Sequence, residues 1–189
     1  DWTLFKPAAF YADTSNADKN SLMGMKIVSI RDQNPAKGLP LVPATITVLD
    51  AESGIVEAVV SATYLTGVRT AASSGLATKL CRPDLEHLVV FGAGLQAECH
   101  IEAIQTAIGR EIPKITIINR SEERAMALRE KISCGSCDVV LLGDTQNVEK
   151  ALSTADVVAA TTNAVKPLFD GKVLPAGCHI NGICLFYTS

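Results

Sequence analysis

The sequence predicts an α/β fold in which a doubly wound parallel sheet follows a smaller, mainly β region. Three observations support this prediction. The chain of 189 residues is 48% hydrophobic and 20% charged, a composition typical of globular proteins that bury a sizeable core. From about residue 86, short apolar runs alternate with segments of helical periodicity. These runs carry no polar alternation, as expected for parallel strands that helices cover on both faces.

Residues before position 84 follow a different pattern. Alternating apolar and polar residues predict short strands at 25–30, 45–50 and 55–60. Residues 51–54 are turn-forming, so the last two strands are expected to form a hairpin. Residues 66–81 predict a helix rich in small side chains, with Thr66 as its N-cap and Arg82-Pro83 at its end. A helix with so little side-chain bulk lets other backbone approach it closely.

After residue 84 the chain repeats a strand-and-helix unit. Apolar strands are predicted at 87–91, 115–119, 138–142 and 156–161. Amphipathic helices are predicted after the first three strands, at 95–108, 121–132 and 147–155. Right-handed crossovers between such strands build most of a doubly wound domain, and residues 179–184 predict a fifth strand. A fold of this kind usually has about six strands, so we divide the chain into residues 1–83 and a C-terminally incomplete domain at 84–189.

The turn after the first of these strands carries a glycine-rich motif. The pattern G-x-G-x-x-A is matched by Gly92, Ala93, Gly94, Leu95, Gln96 and Ala97. In a dinucleotide-binding domain the first glycine permits the tight turn, and the second lets the backbone approach a pyrophosphate, which the N–H groups of the helix start receive. The alternative is a purely structural turn. The buried strand before the motif and the amphipathic helix after it favour a Rossmann domain that binds NAD(P).

The end of the second strand bears on the choice of cofactor. NAD-binding domains place an acidic residue there, which accepts a hydrogen bond from the ribose 2′-hydroxyl. Here the strand ends in Asn119, Arg120 and Ser121, with Arg124 one turn further on. Two guanidinium groups can hold the 2′-phosphate of NADP through paired hydrogen bonds. The sequence therefore favours NADP, with NAD as the alternative cofactor if Arg120 is only a solvated charge.

Charge, hydropathy and cysteine spacing exclude other classes of function. A net charge of −3 with interspersed signs leaves no basic stripe, so nucleic acid is not an expected partner. No apolar run reaches the ~20 residues that cross a bilayer and no leader opens the chain, so we expect a cytoplasmic protein with no membrane partner. Cys134 and Cys137 have CxxC spacing, but no second such pair accompanies them. We therefore expect a surface loop there, with no metal or redox role.

Five short motifs occur in an order that resembles one enzyme family. They are VRTAAS at 68–73, GAGLQA at 92–97, INRS at 118–121, PLFDG at 167–171 and HIN at 179–181. On these motifs, the chain resembles the ornithine cyclodeaminase/mu-crystallin family of NAD(P)-dependent enzymes over about residues 20–183. The resemblance implies hydride exchange between a nicotinamide and the α-carbon of an amino or imino acid.

The resemblance also implies roles for individual residues. Arg69 matches the arginine that grips the substrate carboxylate, and Lys26 matches a lysine beside the substrate that can assist proton movement. Thr45 matches a threonine near the nicotinamide. The nicotinamide ribose is expected beside Thr161, Thr162 and Asn163. Without the resemblance, Lys26 would be an exposed strand lysine and Thr45 an ordinary strand residue.

An expected activity follows from these roles. We expect an NADPH-dependent, ketimine-reductase-like oxidoreductase that acts on the C=N carbon of a small imino acid whose carboxylate Arg69 and Lys26 hold. Cyclodeamination of an amino acid with loss of ammonia is one alternative, and a non-catalytic NADP-binding protein is another. Residues 1–83 would form part of a substrate-binding and dimerisation region, and the full-length protein would be a homodimer. His100 is expected to be structural, and His179 has no assigned chemistry.

Both ends of the chain depart from the pattern of this family. The chain begins with Asp1 rather than Met, and the N-terminal strands of the family are expected to be largely missing. After the HIN motif, family members carry a Pro-Asp whose aspartate is the general base of the cyclodeaminase, whereas this chain ends within residues 184–189. We therefore expect a fragment or a truncated member of the family.

Overall fold

The computed structural model describes residues 1–10 and 21–183. The chain divides into two compact units, Asp1–Thr66 and Gly67–Ser189. The boundary between these units lies inside a helix, upstream of the change in hydrophobic pattern near residue 84. Each unit has its own sheet, which is antiparallel in the first and parallel in the second.

The first unit is a four-stranded antiparallel sheet whose strands follow chain order. Its strands are β1 (Trp2–Phe10), β2 (Leu22–Ile30), β3 (Ala44–Leu49) and β4 (Val56–Ser61). The three strands predicted from alternation are confirmed. So is the hairpin between β3 and β4, where Asp50 N donates to Ile55 O (2.8 Å) and Gly54 takes a positive φ of 73°.

The edge strand β1 is not predicted by the hydrophobic pattern of the sequence. Its residues alternate poorly and include Pro7. Proline cannot donate a hydrogen bond to a sheet, but β1 lies at the edge, where that loss is tolerated. β1 pairs with β2 along its whole length, from Trp2 opposite Ile30 to Phe10 opposite Leu22.

The helix α1 (Thr63–Cys81) begins three residues before its predicted start. Thr66 is therefore not the N-cap but lies one turn inside the helix, where its hydroxyl donates to Ala62 O (2.6 Å). Thr63 holds the start of the helix against the sheet, because its hydroxyl accepts a hydrogen bond from Ala44 N (3.1 Å). The sequence contains two threonines about one turn apart, Thr63 and Thr66, and either could begin the helix. The hydrogen bond between Thr63 and Ala44 of β3 determines that the helix begins at Thr63.

The second unit is built on a five-stranded parallel sheet, as predicted. Its remaining elements are β5 (His87–Phe91), α2 (Leu95–Ile108), β6 (Lys114–Asn119), α3 (Glu122–Arg129), β7 (Ser136–Leu141), α4 (Thr145–Leu152), β8 (Val157–Ala160) and β9 (His179–Gly182). In the strand order β7-β6-β5-β8-β9, the chain adds β6 and β7 on one side of β5 and then β8 and β9 on the other side. This is the doubly wound arrangement. Cys184, the last residue of the predicted fifth strand, lies outside the described residues.

Apolar clusters lie on both faces of the parallel sheet. Residues of β5 and β6 alternate between them, so that Leu88 and Ile115 face α2 and α3 while Val89 and Ile118 face α4. The central strand β5 is buried at every position. This double cover explains why the strands read as continuous apolar runs in the sequence.

Small residues let α1 pack closely against α2. A Cβ placed on Gly75 would lie 2.7 Å from the carbonyl oxygen of Ala103, and one on Gly67 would lie 2.8 Å from Cys99 Sγ. Further along α1, the Thr78 hydroxyl accepts a hydrogen bond from Asn181 Nδ2 of β9 (2.9 Å). The expectation of close backbone approach at this helix is confirmed.

Two predictions that concern cysteine and hydropathy can be compared with these elements. Cys134 lies in the connection before β7, but Cys137 belongs to β7 itself and is half-buried, so the CxxC segment is not simply a surface loop. None of the helices in the described part of the chain combines the length and apolar character that a bilayer crossing requires.

The side chains of Asp156 and Arg82 together join the ends of four elements of the second unit. The Asp156 carboxylate accepts hydrogen bonds from the N–H groups of Glu86 and His87 (both 2.9 Å) and from Arg82 Nη2 (2.5 Å). Arg82 also donates to Gly177 O (3.0 Å), just before β9. Burial alone would raise the pKa of Asp156, but these donors offset it and hold the pKa below its usual range. The end of α1 is thereby fixed to the starts of β5, β8 and β9.

We predict that Asp156→Asn lowers the free energy of unfolding at pH 7 by about 1–3 kcal/mol, because three charge-assisted hydrogen bonds are weakened. Since the folded-state pKa of Asp156 is depressed, its contribution is fully present above the unfolded-state pKa of about 4 and is lost as pH falls through the folded value. Urea unfolding at both ends of this pH range measures the difference.

The matched control is Asp138→Asn, which removes an exposed ion pair with Lys114 (3.4 Å) and should cost less than about 1 kcal/mol. If Asp156→Asn lowers the free energy of unfolding by no more than this control does, the prediction is wrong.

Candidate functional site

The glycine-rich turn connects β5 to α2 at the carboxyl end of the central strand. Gly92 has a φ of +103°, which side chains with a Cβ rarely adopt. A Cβ at this position would also lie 2.8 Å from Thr161 Oγ1 and 3.1 Å from the Thr161 carbonyl oxygen. Gly92 N donates to Ile118 O of β6 (2.9 Å). The first glycine of the motif is thus required by both backbone conformation and space.

The second glycine has a different reason to be there. Gly94 is the N-cap of α2 and has extended backbone angles (φ −107°, ψ −173°) that any residue can adopt. Among the described residues, no atom lies within 4 Å of a Cβ built on it. The space in front of the helix start is therefore open, and the exposed N–H groups there make a suitable anion site.

The other motif residues pack the turn against the core. Ala97 is fully buried, so strand and helix approach closely, and Ala93 packs against the apolar cluster under α2. Leu95 and Gln96 are half-buried in the first turn of α2. Gln96 Oε1 is buried and has no hydrogen-bond partner in the described part of the chain.

The end of β8 lies directly against this turn. Thr161 donates twice to the Phe91 carbonyl oxygen, from its backbone N (2.9 Å) and from its hydroxyl (2.7 Å). The Thr162 methyl group would lie 3.3 Å from a Cβ on Gly92, and its hydroxyl accepts a hydrogen bond from Ala164 N (3.3 Å). Asn163 is exposed. The structure therefore brings two of these three predicted residues to the glycine turn, where Thr161 also has a structural task.

The tip of β6 carries the residues expected to select the cofactor. Asn119 Nδ2 donates to Ser121 O (2.9 Å), and the Ser121 hydroxyl accepts from Arg124 N (3.3 Å) as the N-cap of α3. Arg120 and Arg124 are exposed, and neither forms an ion pair with another described residue. The first turn of α3 also carries two acidic residues, Glu122 and Glu123.

These parts lie along one edge of the sheet, at the position of the ligand crevice of open α/β sheets, because the carboxyl ends of parallel strands lie at the same edge. The glycine turn follows β5, the two arginines follow β6 and Thr161 follows β8, with β5 between the other two strands. Strand order reverses at this point, which is where open α/β sheets bind ligands. The motif-based residues of the second unit are therefore brought together.

The structure places Lys26 and Thr45 on opposite faces of the antiparallel sheet. Lys26 is opposite Ile46, whereas Thr45 is opposite Ile27, and neighbouring residues of a strand point to opposite faces. Lys26 is half-buried, and Thr45 is exposed. Arg69 belongs to the second unit, where it lies on α1 with an exposed side chain.

The histidines near the motif have structural surroundings. His100 is fully buried, and its Nδ1 bonds the Gln96 carbonyl oxygen (2.6 Å), while burial lowers the pKa of its imidazole. His179 Nε2 bonds Asn181 Oδ1 (3.1 Å). Within the described residues, no group of three or more acidic, histidine or cysteine side chains could hold a metal ion.

The PLFDG motif packs against the sheet rather than lining the crevice with polar groups. The Phe169 ring stacks on Phe91 with centroids 5.3 Å apart and an interplanar angle of 20°. Asp170 caps a short 3₁₀ helix by accepting from Lys172 N (3.0 Å). A ring directly beneath the glycine turn is a packing feature that the sequence spacing did not indicate.

Solved structures share this architecture. The Delta(1)-pyrroline-2-carboxylate reductase of Thermococcus litoralis, in complex with NADH and L-proline, has a TM-score of 0.75 and 24% identity; the match covers 96% of this chain and 58% of the other. An archaeal alanine dehydrogenase dimer with bound NAD has a TM-score of 0.71 and 26% identity, over 94% of this chain and 56% of the other.

Comparison of sequences gives the family. An uncharacterized cyclodeaminase of Dictyostelium discoideum is 37% identical over 162 residues, 79% of this chain and 44% of its own length. A Delta(1)-pyrroline-2-carboxylate reductase of Bacillus cereus is 34% identical over 176 residues, 93% of this chain and 53% of the relative. The chain thus spans about half the length of the curated relatives it matches. The model of the ornithine cyclodeaminase/mu-crystallin family matches residues 12–185, and the chain belongs to that family.

Proposed function

We propose that this chain is part of an NADPH-dependent oxidoreductase that reduces the C=N bond of a small imino acid. The observation that carries the proposal is the edge at the carboxyl ends of β5, β6 and β8, where an open helix start and two exposed arginines follow neighbouring strands. Relatives named as pyrroline-2-carboxylate reductase and as ketimine reductase mu-crystallin support this reaction class. When bound, the nicotinamide supplies the hydride.

The glycine turn is the proposed pyrophosphate site. Gly94 leaves the first N–H groups of α2 accessible, and the positive end of the helix dipole favours an anion there. Gly92, tied to β6 through Ile118 and crowded by Thr161, keeps the turn in one conformation. Pre-ordering of the turn lowers the entropy lost on binding.

Two exposed guanidinium groups support a preference for the 2′-phosphate of NADP. Arg120 follows the β6 tip, and Arg124 follows one turn later in α3, so both can reach a phosphate beside the adenine ribose. The archaeal alanine dehydrogenase of similar fold binds NAD, which supports a nicotinamide cofactor in general. Glu122 and Glu123 reduce the positive potential of this loop, so the preference rests on direct hydrogen bonds rather than net charge.

Arg69 and Lys26 are the proposed grip on the substrate carboxylate. Arg69 is suited to this task because a planar guanidinium can bond both carboxylate oxygens. Lys26 supplies a second positive charge on the face of β2 that it shares with Ile46 and Val28. Thr45 is proposed beside the nicotinamide, and its position on the opposite face argues against one small ligand contacting both it and Lys26.

The first unit carries a proposed dimerisation surface. Phe5 and Val59 are 64% and 68% exposed, and cross-strand pairing places them on the sheet face of Thr45. Exposed apolar side chains grouped on one face are typical of protein interfaces. We therefore propose that residues 1–83 belong to a substrate-binding and dimerisation region of a homodimer.

Cyclodeamination is a second candidate because the 37% identical relative is named as a cyclodeaminase. The two reactions share the cofactor crevice and the carboxylate grip. They differ in product, since cyclodeamination releases ammonia. The full-length protein is incubated with a cyclic ketimine acid and NADPH, or with a diamino acid and NADP. An imine reductase oxidises NADPH in the first mixture, a cyclodeaminase releases ammonia in the second, and a protein that only binds NADP does neither.

We predict that Gly94→Val and Gly92→Ala separate cofactor binding from stability. Gly94→Val fills the open space at the helix start, so NADPH affinity should fall at least about tenfold while the free energy of unfolding falls by about 1 kcal/mol, the usual cost of losing a favourable N-cap residue. Gly92→Ala should itself destabilise by about 1–3 kcal/mol because of its φ and the Thr161 contact. Calorimetric titration and urea unfolding measure both effects. Unchanged NADPH binding by Gly94→Val would exclude the turn as the pyrophosphate site.

We predict that the protein prefers NADPH over NADH and that Arg120 carries most of this preference. Two charge-assisted hydrogen bonds, discounted for exposure, correspond to a preference on the order of a hundredfold. Titration of wild type and Arg120→Ala with both cofactors tests this, with Arg129→Ala at the far end of α3 as the matched control. Equal affinities in the wild type, or a preference that survives in Arg120→Ala, would contradict the assignment.

We predict that Arg69→Lys in the full-length protein raises the KM for the imino acid at least about tenfold and leaves NADPH affinity unchanged. An ammonium group cannot reproduce the paired hydrogen bonds of a guanidinium. Steady-state kinetics and NADPH titration measure the two effects separately. Lys79→Arg, at an exposed position of the same helix, is the control. A variant with unchanged KM and turnover would show that Arg69 does not hold the substrate.

A further inference from the structure

The segment at residues 134–137 takes no part in the proposed cofactor site. It joins α3 to β7 at the amino ends of the strands, whereas the crevice lies at their carboxyl ends. Gly135 N donates to Ile112 O (3.1 Å), and Ser136 N donates to Pro113 O (2.9 Å). A Cβ on Gly135 would lie 2.5 Å from Pro113 O, so the close approach needs glycine. The backbone between the two cysteines is therefore held in one conformation.

This conformation brings the two thiols of the segment together. Cys134 and Cys137 pack against the same apolar cluster, and each thiol is close enough to influence the pKa of the other. Cys134 Sγ also donates to Ser136 O (3.4 Å). Both residues are half-buried and pack against the apolar cluster beneath α2 and α3, so neither is sealed in the core. A pair of adjacent thiols with partial exposure is open to reagents in solution.

The surroundings of the pair set its reactivity. Burial raises the pKa of both thiols, with the larger change at Cys137, to about 12. Arg129 opposes this change at both sulfurs, while Glu111 adds to it at Cys134 and Asp138 at Cys137. The thiolate is the attacking species in disulfide exchange, so these raised pKa values make the exchange slow near neutral pH and faster as pH rises. The first attack is expected from Cys134, whose pKa is raised less.

We infer that Cys134 and Cys137 are a redox-active dithiol that closes to an intrachain disulfide on exchange with a small-molecule disulfide. The sequence spacing alone argues for an inert loop. The geometry points to a reaction instead, because a fixed turn that holds both thiols against one cluster gives the second thiol a high effective concentration for the second step.

The exchange proceeds in two balanced steps. The Cys134 thiolate attacks one sulfur of the oxidant, which gives a mixed disulfide and releases one thiol. Cys137 then loses its proton and attacks Cys134 Sγ, which forms the intrachain bond and expels the second thiol. Overall, the two cysteines lose two protons and two electrons, and the oxidant is reduced to two thiols.

The test is incubation of the whole chain with glutathione disulfide, followed by peptide mass mapping. The wild-type peptide that contains residues 134–137 should become lighter by two hydrogen atoms and recover its mass with excess reduced glutathione. In Cys137→Ser, the mixed disulfide at Cys134 should persist. In Cys134→Ser, Cys137 should remain unmodified. The rate for the wild type should rise with pH between about 7 and 9.

Three results would overturn the inference. The first is that Cys134 and Cys137 both stay reduced when the exposed Cys81 is fully modified. The second is that Cys134 and Cys137 each carry a separate glutathione adduct. The third is that either of them forms a disulfide with a different cysteine of the chain. Cys81→Ser is the matched control and should form the intrachain bond at the wild-type rate. Peptide mass mapping of the wild-type chain tests the inference even if a serine variant fails to fold. The result does not depend on whether the protein binds NADPH.

Discussion

The hydrogen bonds and ion pair around Asp156 fix the frame on which the second unit depends. Its carboxylate receives Arg82 and the first N–H groups of the segment that leads into β5, while its backbone bonds β5 and β9. A half-buried carboxylate needs such donors to stay ionised. All of these bonded ends lie at the amino ends of the strands, so this network does not occupy the carboxyl edge of the sheet, where the glycine turn lies.

The hydrophobic pattern predicted most of the parallel domain. The fully buried strand β5 and the amphipathic α2 are strong local signals, and the G-x-G-x-x-A turn between them fixed both boundaries. The antiparallel unit was less predictable. β1 contains Pro7 and alternates poorly, and its strand conformation depends on pairing with β2, which no local pattern reveals. The start of α1 at Thr63 depends on a tertiary bond to Ala44 in the same way.

The residues of the candidate site that follow the ends of the parallel strands could be predicted from the sequence. The positions that depend on strand register in the antiparallel sheet could not. Strand order alone brings the residues after β5, β6 and β8 to one edge. Lys26 and Thr45 are different, since the faces they occupy are set by cross-strand pairing that the sequence left undetermined. The double bond from Thr161 to Phe91 and the contact between Phe91 and Phe169 are also tertiary, and they show that the motif residues stabilise the turn as well as line it.

The glycine turn and the β6 tip differ in how firmly they are tied to the rest of the fold. Gly92 is confined by two neighbouring strands, so a change there requires compensating changes at positions distant in sequence. The β6 tip is held by short-range bonds, from Asn119 to Ser121 and from Arg124 to Ser121, and its two arginines project outward. Single substitutions there leave the scaffold intact. In evolution, the charge at the β6 tip can therefore change in this lineage while the glycine turn stays fixed.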